Sequence, residues 1–334
     1  MRIRTLSLAA LLACAPSLRA QEAPALPDID RVRIAEAFRL ADAVQDKIWP
    51  AWSTAPFAVL LVTPKYEYLM RHPDPSSDFT LLGYDRVLKE KVWYRERQYS
   101  ISFLATFPAV NGLPTIVIGE AEYTTSKTST PWVVTLLHEH FHQLQYSHPG
   151  YYDGVTALGL AHGDQSGMWM LNFPFPYADS AVQARFAATA RALGAALKVR
   201  GQPGFAAAVT AFQRDDKAFL AKVGAENAKY FAFESWQEGI ARYTEYRVAA
   251  EAAKGYEPGA EFKALKDYTP YSATASTLLR AIETELANEK LGEDKRAVVY
   301  GFGAAMGLIL DHAQPKWQAR YFAEPFALEP YFKR

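Results

Sequence analysis

Cysteine is nearly absent from this chain: Cys14 is the only one in 334 residues. Everything beyond it therefore lacks an intrachain disulfide, a thiolate metal ligand and a cysteine nucleophile. A metal site here has to be built from His, Asp, Glu and water. A charge excess is missing as well. Lys plus Arg and Asp plus Glu stand at 36 each, which argues against a dedicated nucleic-acid surface. The longest apolar run after the N-terminus, residues 297–310, is too short and glycine-rich to span a membrane. Internal repeats, low-complexity tracts and flexible linkers are absent too. Histidine is scarce, at seven residues, so where the histidines cluster carries information.

The first twenty residues read as a targeting segment rather than part of the fold. Arg2 and Arg4 form a basic start, Leu6 to Cys14 an apolar core, and Ala20 ends a cleavage region. The expectation is export, to a periplasm or beyond. Leu11-Leu12-Ala13-Cys14 offers a second reading as a lipobox, with Cys14 as a lipid anchor. Neither signal is ideal, since Leu12 and Leu18 are not the preferred residues at their positions. Removing the leader leaves about 310 residues, enough for a sizeable core.

The rest divides by pattern. Residues 29–48 read as an amphipathic helix ended by Pro50. Short β-like runs follow at 57–62, 91–94, 101–107 and 115–118, separated by turn residues such as those of 72–77 and 111–114. From Thr130 onward the chain reads as helical, at 180–198, 204–223, 226–254, 272–289 and 296–312. Sheet first and helices after is an α+β arrangement. The expected organisation is a sheet subdomain with one covering helix over 21–125 and a helical subdomain over 126–334, around one cleft.

The histidines concentrate in His138-Glu139-His140-Phe141-His142, an H-E-x-x-H pattern. Helical spacing puts His138 and His142 on one face, one turn apart, where two imidazoles can bind one ion. Glu139, beside the first of them, is placed to accept a proton from water activated by that ion. Ser129-Thr130-Pro131 supplies a capping hydroxyl and a proline suited to a first turn. Trp132, Val133, Val134, Leu136, Leu137, Phe141 and Leu144 make the segment apolar almost all round, as in a buried helix. Buried histidines and a glutamate need a partner. A cation is one; ordinary hydrogen bonds around the pair are the alternative.

A catalytic zinc requires a third protein ligand and an open position. Downstream stands Trp236-Gln237-Glu238-Gly239-Ile240-Ala241-Arg242-Tyr243-Thr244-Glu245. The pairing of H-E-x-x-H with this Glu-Gly-x-Ala-x-Tyr segment resembles the gluzincin metallopeptidases. The likeness covers about twenty residues and the order of elements. It implies a zincin-like fold, one zinc ion on His138, His142 and Glu238, and cleavage of a peptide or protein substrate with Glu139 as general base. Gly239 and Ala241 lack bulk, so this helix is expected to pass close to the His helix. The chain departs from the family's pattern in a long gap before Glu238, and in Arg242 where thermolysin-like members carry an aspartate. Glu245, two turns after Glu238, is a candidate support for a ligand histidine. The competing reading of Glu238 is a carboxylate paired with Arg242 on a helix surface.

A second source of the third ligand is His148, ten residues after His138 as in the metzincin pattern, with Met168 or Met170 as a Met-turn. Gln145 stands where that pattern needs glycine. His140 is out of phase with the pair and expected to pack elsewhere; His72, His162 and His312 receive no role. For the donor to a tetrahedral oxyanion, the family resemblance points first to Tyr300, then to Tyr243 and Arg242. The glycines of 301–307 lack the spacing of a dinucleotide fingerprint and suit tight helix packing. The stretch 166–177 is expected either to line the cleft or to pack as a loop. Outside catalysis, a non-catalytic extracytoplasmic binding or scaffold protein on the same fold fits the sequence too.

Overall fold

A computed structural model describes residues 24–332. The expected targeting segment, with Cys14, lies outside the described residues. The architecture is α+β, with a six-stranded mixed sheet and a largely helical remainder.

The chain enters through α1 (Asp28–Ile48) and then builds β1 (Val59–Val62), β2 (Tyr66–Met70), β3 (Thr80–Asp85), β4 (Glu90–Glu96), β5 (Leu104–Val110) and β6 (Leu113–Gly119). Their order across the sheet is β3-β4-β2-β1-β6-β5. Only β1 and β6 run parallel; every other neighbouring pair is antiparallel. Asn111 and Gly112 turn the β5–β6 hairpin with φ of 43° and 73°, the positive values that a tight two-residue hairpin needs.

Period-two alternation sorts the sheet residues between two faces. Val59, Leu61, Tyr68, Met70, Ile116 and Ile118 join the main core beneath the helices. Leu60, Val62, Leu69 and Val117 form a smaller core on the other face with Phe79 and Val110. β1 and β6 are buried on both sides, which is why they read in sequence as unbroken apolar runs. β2 and β3 are strands that the sequence pattern did not reveal. β3 is largely exposed and carries Gly83 at a register shift, so it has neither a clean alternation nor an apolar run. The run at 101–107 starts too early: Ile101 and Ser102 form a turn, and β5 begins at Leu104.

α2 (Ser129–Ser147) follows β6 after the connection 120–128, which includes a 3-10 turn at Ala121–Tyr123, and is buried almost from end to end. Each fully buried Leu, Val or Phe of such a helix contributes about 1.5–3 kcal/mol, so its position under the sheet is firmly set. The expected hydroxyl cap is not made by the helix's own residues. Asp267 does it from outside, accepting from Ser129 N and Ser129 Oγ, each at 2.8 Å. Pro131 sits in the first turn, as the sequence suggests.

The helical remainder comprises α3 (Ser180–Lys198), α4 (Phe205–Val223), α5 (Ala225–Glu234), α6 (Ile240–Ala252), α7 (Tyr271–Asn288) and α8 (Val298–Ala313), with short helical turns between them. The single helix expected over 226–254 is one continuous helical stretch from 225 to 252 with a π-turn inside it. That π-turn, Ser235–Gly239, lies between α5 and α6, and α6 ends at Ala252. The main core is continuous from Leu26 to Tyr331, so both halves of the chain share it. Among the described residues, no helix is long and apolar enough to cross a membrane.

Candidate metal centre

α2 and the π-turn meet at the floor of a cleft of about 1080 Å³. Residues 102–106, leading into and forming the start of edge strand β5, make one wall; α7 and the segment from Arg296 to Tyr300 make the other. π-turns recur at functional positions, where they re-aim a side chain relative to a regular helix. Here Glu238 lies within the turn, and its Oε2 stands 3.4 Å from Nε2 of His142 and 3.8 Å from Nε2 of His138. The two Nε2 atoms are 3.2 Å apart. All three ligand atoms lie within 4.8 Å of one another. His138, His142 and Glu238 could thus hold a metal ion.

The hydrogen bonds behind the imidazoles test that fit. Glu245 Oε1 lies 2.7 Å from His138 Nδ1. Gln145 Oε1 lies 2.7 Å from His142 Nδ1, and its amide is oriented by donating to Tyr321 Oη at 2.8 Å and Gln237 O at 3.1 Å. Each Nδ1 thus has an acceptor oxygen close by, and His142 Nδ1 also lies 3.3 Å from the Gln237 amide nitrogen. Both Nε2 atoms face the space that Glu238 also faces. Three such atoms converging in a buried place suit a cation, or protons shared among them. The donor set suits such a site, and its edges of 3.2, 3.4 and 3.8 Å bracket the about 3.3–3.4 Å of a tetrahedron with bonds of about 2.0–2.1 Å.

Electrostatics favour positive charge in this place, which a proton on His138 supplies as well as an ion would. Burial disfavours charge on His138, but the carboxylates of Glu238 and Glu245 outweigh it and hold the imidazolium up at about 10. Burial pushes Glu245 upward too, yet Arg242 and His138 bring it to about 2. Glu238 is likewise held well below the carboxylate range, against its burial, by His142 and Arg296. The pocket is built to keep carboxylates ionised around the imidazoles, which favours positive charge at their centre.

Glu139 projects beside this group into the same cleft. Thr106 Oγ1 donates to Glu139 Oε2 at 2.8 Å and lies 3.0 Å from the Glu139 carbonyl oxygen, so β5 orients the carboxylate. Tyr300 also lines the cleft, its ring stacked near His138 at 6.4 Å between centroids. Burial keeps its phenol protonated, with the charge of Glu238 adding to the effect.

Other expectations need correction. Arg242 does not pair with Glu238; it donates to Glu245 and Glu285, each at 2.6 Å. Tyr243 is fully buried away from the cleft, its hydroxyl donating to Asp311 at 2.7 Å. Gly239 permits close approach of α8, not of the His helix: a Cβ there would lie 2.5 Å from Gly303 Cα. His148 caps the end of α2 and stacks on Phe322 at 4.5 Å, apart from the ligand group. His140 faces the opposite side, stacked on Phe57 at 3.9 Å, where burial lowers its pKa to about 3. Of the 166–177 stretch, Leu171 lines the cleft while Trp169, Phe173 and Phe175 are buried in the core.

Thr106, Gln145 and Arg296 escaped the sequence reading. Thr106 and Arg296 reach partners 33 and 58 residues away. Gln145 had a local signal, one turn after His142, but its amide is oriented by groups far along the chain. Arg296 also had a faint one, since it stands one helical turn before Tyr300.

None of the known protein families, curated proteins or solved structures matches this chain.

Proposed function

We propose that this protein is an exported zinc-dependent hydrolase, a metallopeptidase of gluzincin type with a zincin-like fold. The reading rests on one observation above the rest: three potential ligand atoms, from His138, His142 and Glu238, converge beside the cleft-facing carboxylate of Glu139. Two imidazoles, one carboxylate and no thiolate form a donor set suited to zinc. When bound, zinc supplies Lewis acidity that makes water a better nucleophile and polarises a carbonyl.

The chain's own residues supply the rest. Glu139, oriented by Thr106, accepts a proton from the attacking water and later delivers it to the leaving amine. Tyr300 remains a phenol and donates a hydrogen bond toward the oxyanion. The edge strand β5 presents backbone groups along the cleft wall, where an extended peptide adds as a further strand. Export, with or without a lipid on Cys14, belongs to the same reading and rests on the N-terminal sequence alone.

The test pairs metal analysis with peptide cleavage. Purified protein should carry one zinc ion and cut members of a mixed peptide library, read by mass spectrometry. Glu139→Gln should keep the zinc and lose activity by about 10²–10⁴-fold. Zinc bound with no cleavage by the unaltered chain would leave a metal-binding protein and end the peptidase reading. A chain that takes up no zinc ends both.

A further inference from the structure

Arg296 occupies the oxygen of Glu238 that the histidines do not face. Its Nη2 donates to Glu238 Oε1 at 2.9 Å, while Oε2 is the oxygen turned toward the imidazoles. The same Nη2 lies 2.7 Å from Oε2 of Glu234, a fully buried carboxylate one turn before Glu238. Nη1 donates to the Tyr300 hydroxyl at 3.3 Å. One guanidinium thus ties together the third ligand, a buried carboxylate behind it and the phenol at the cleft.

The placement follows from helix periodicity. Arg296, Tyr300, Gly303 and Gly307 fall on one face of the segment that runs into α8. Gly303 lets that face touch the π-turn, where an added Cβ would meet Ser235 O at 2.4 Å. The contact carries Arg296 over Glu238.

We propose that Arg296 is a positioning residue that makes Glu238 a one-oxygen ligand. With Oε1 engaged, only Oε2 is free to meet a divalent ion. A carboxylate binding through both oxygens would take two positions and crowd out the open place that a hydrolytic site needs. Arg suits the task because its planar fork serves several acceptors in fixed directions, which a lysine ammonium does not. The inference rests on the proposal that His138, His142 and Glu238 hold the ion, and extends it to how the third ligand is presented.

A purely structural role, in which Arg296 only neutralises Glu234, must be separated from this one. The comparison is therefore made in a Glu234→Gln background, where removing Arg296 leaves no unpaired Glu234 carboxylate. Zinc affinity is measured by competition with a chromophoric chelator, and the visible spectrum is recorded after loading with cobalt(II). Glu234→Gln alone should match the unaltered chain in both. Adding Arg296→Gln should weaken zinc binding about 10–100-fold and lower the intensity of the cobalt d–d band as the coordination number rises. Arg296→Lys in the otherwise unaltered chain, which retains the charge, should show the same loss of band intensity. Affinity and spectrum unchanged in both Arg296 variants would overturn the positioning role and leave the ion site standing. No zinc or cobalt uptake by the unaltered chain would overturn the ion site, and this inference with it.

Discussion

Glu245 Oε1 stands 2.7 Å from Nδ1 of His138, and Arg242 Nη1 donates to the other oxygen of the same carboxylate at 2.6 Å. Arg242 is itself shared with Glu285 on the cleft wall. The chain of contacts places a carboxylate behind His138 Nδ1 and leaves Nε2 facing Glu238. Such supporting carboxylates raise the basicity of the ligand they hold. Glu245→Gln keeps an acceptor oxygen but removes the charge. Zinc affinity should fall about 10–100-fold with the fold intact, read by chelator competition and circular dichroism. An unchanged affinity would reduce Glu245 to a partner of Arg242.

Metal binding should register as stability. Zinc at a hundredfold excess over its dissociation constant stabilises by about 2.7 kcal/mol, which for a chain of this size raises the unfolding midpoint by roughly 5 °C. Glu238→Ala should abolish that rise. His148→Ala should keep it, because His148 stacks on Phe322 outside the ligand group. Differential scanning fluorimetry with and without zinc decides between them. Loss of the rise in His148→Ala alone would restore the three-histidine arrangement.

The difference between what the sequence disclosed and what it hid follows from the range of the interactions involved. His138 and His142 were legible because helical phase is local. β1 and β6 were legible because strands buried on both faces leave unbroken apolar runs. Glu238 entered through family likeness, since nothing in its immediate surroundings distinguishes a ligand from a surface carboxylate. The π-turn that aims it has no periodic signature. Gly239 marks a close approach in the sequence, but its neighbour is α8 and not the His helix, because a glycine reveals that something comes near but not what. Thr106 and Arg296 acquire their roles only when distant elements pack together.

The Gly239–Gly303 contact gives a steric prediction. A methyl group on Gly239 would lie 2.5 Å from Gly303 Cα and 2.8 Å from Val299 O, both backbone atoms with no side chain free to yield. Gly239→Ala should cost about 1–3 kcal/mol in urea unfolding and weaken zinc binding by shifting the π-turn. Gly194, within α3, is the control. Its added Cβ would meet only Leu286 Cδ2 at an ordinary 3.7 Å, so Gly194→Ala should be neutral or stabilise by about 0.4–1 kcal/mol. Equal effects at the two positions would mean that α8 can withdraw without disturbing the site.

A pH dependence arises away from the cleft, where Glu120 and Asp30 sit among the carboxylates around Arg33. Burial, together with the charges of Asp30 and Glu122, pushes Glu120 up to about 7 from an ordinary value of 4.5. Asp30, raised to about 6 chiefly by its own burial, gains a hydrogen bond from the Glu120 carboxyl. Because the folded-state pKa of Glu120 is the higher one, the folded chain binds more protons between these values. Its contribution is fully present below pH 4.5 and lost as pH rises through 7. Glu120→Gln supplies a permanent donor in place of the protonated carboxyl. The variant should match the unaltered chain near pH 4 and become the more stable of the two by pH 8, with the gap opening between pH 4.5 and 7. Urea unfolding across that range measures the gap directly, and a gap that stays constant with pH would mean that Glu120 does not retain its proton in the folded state.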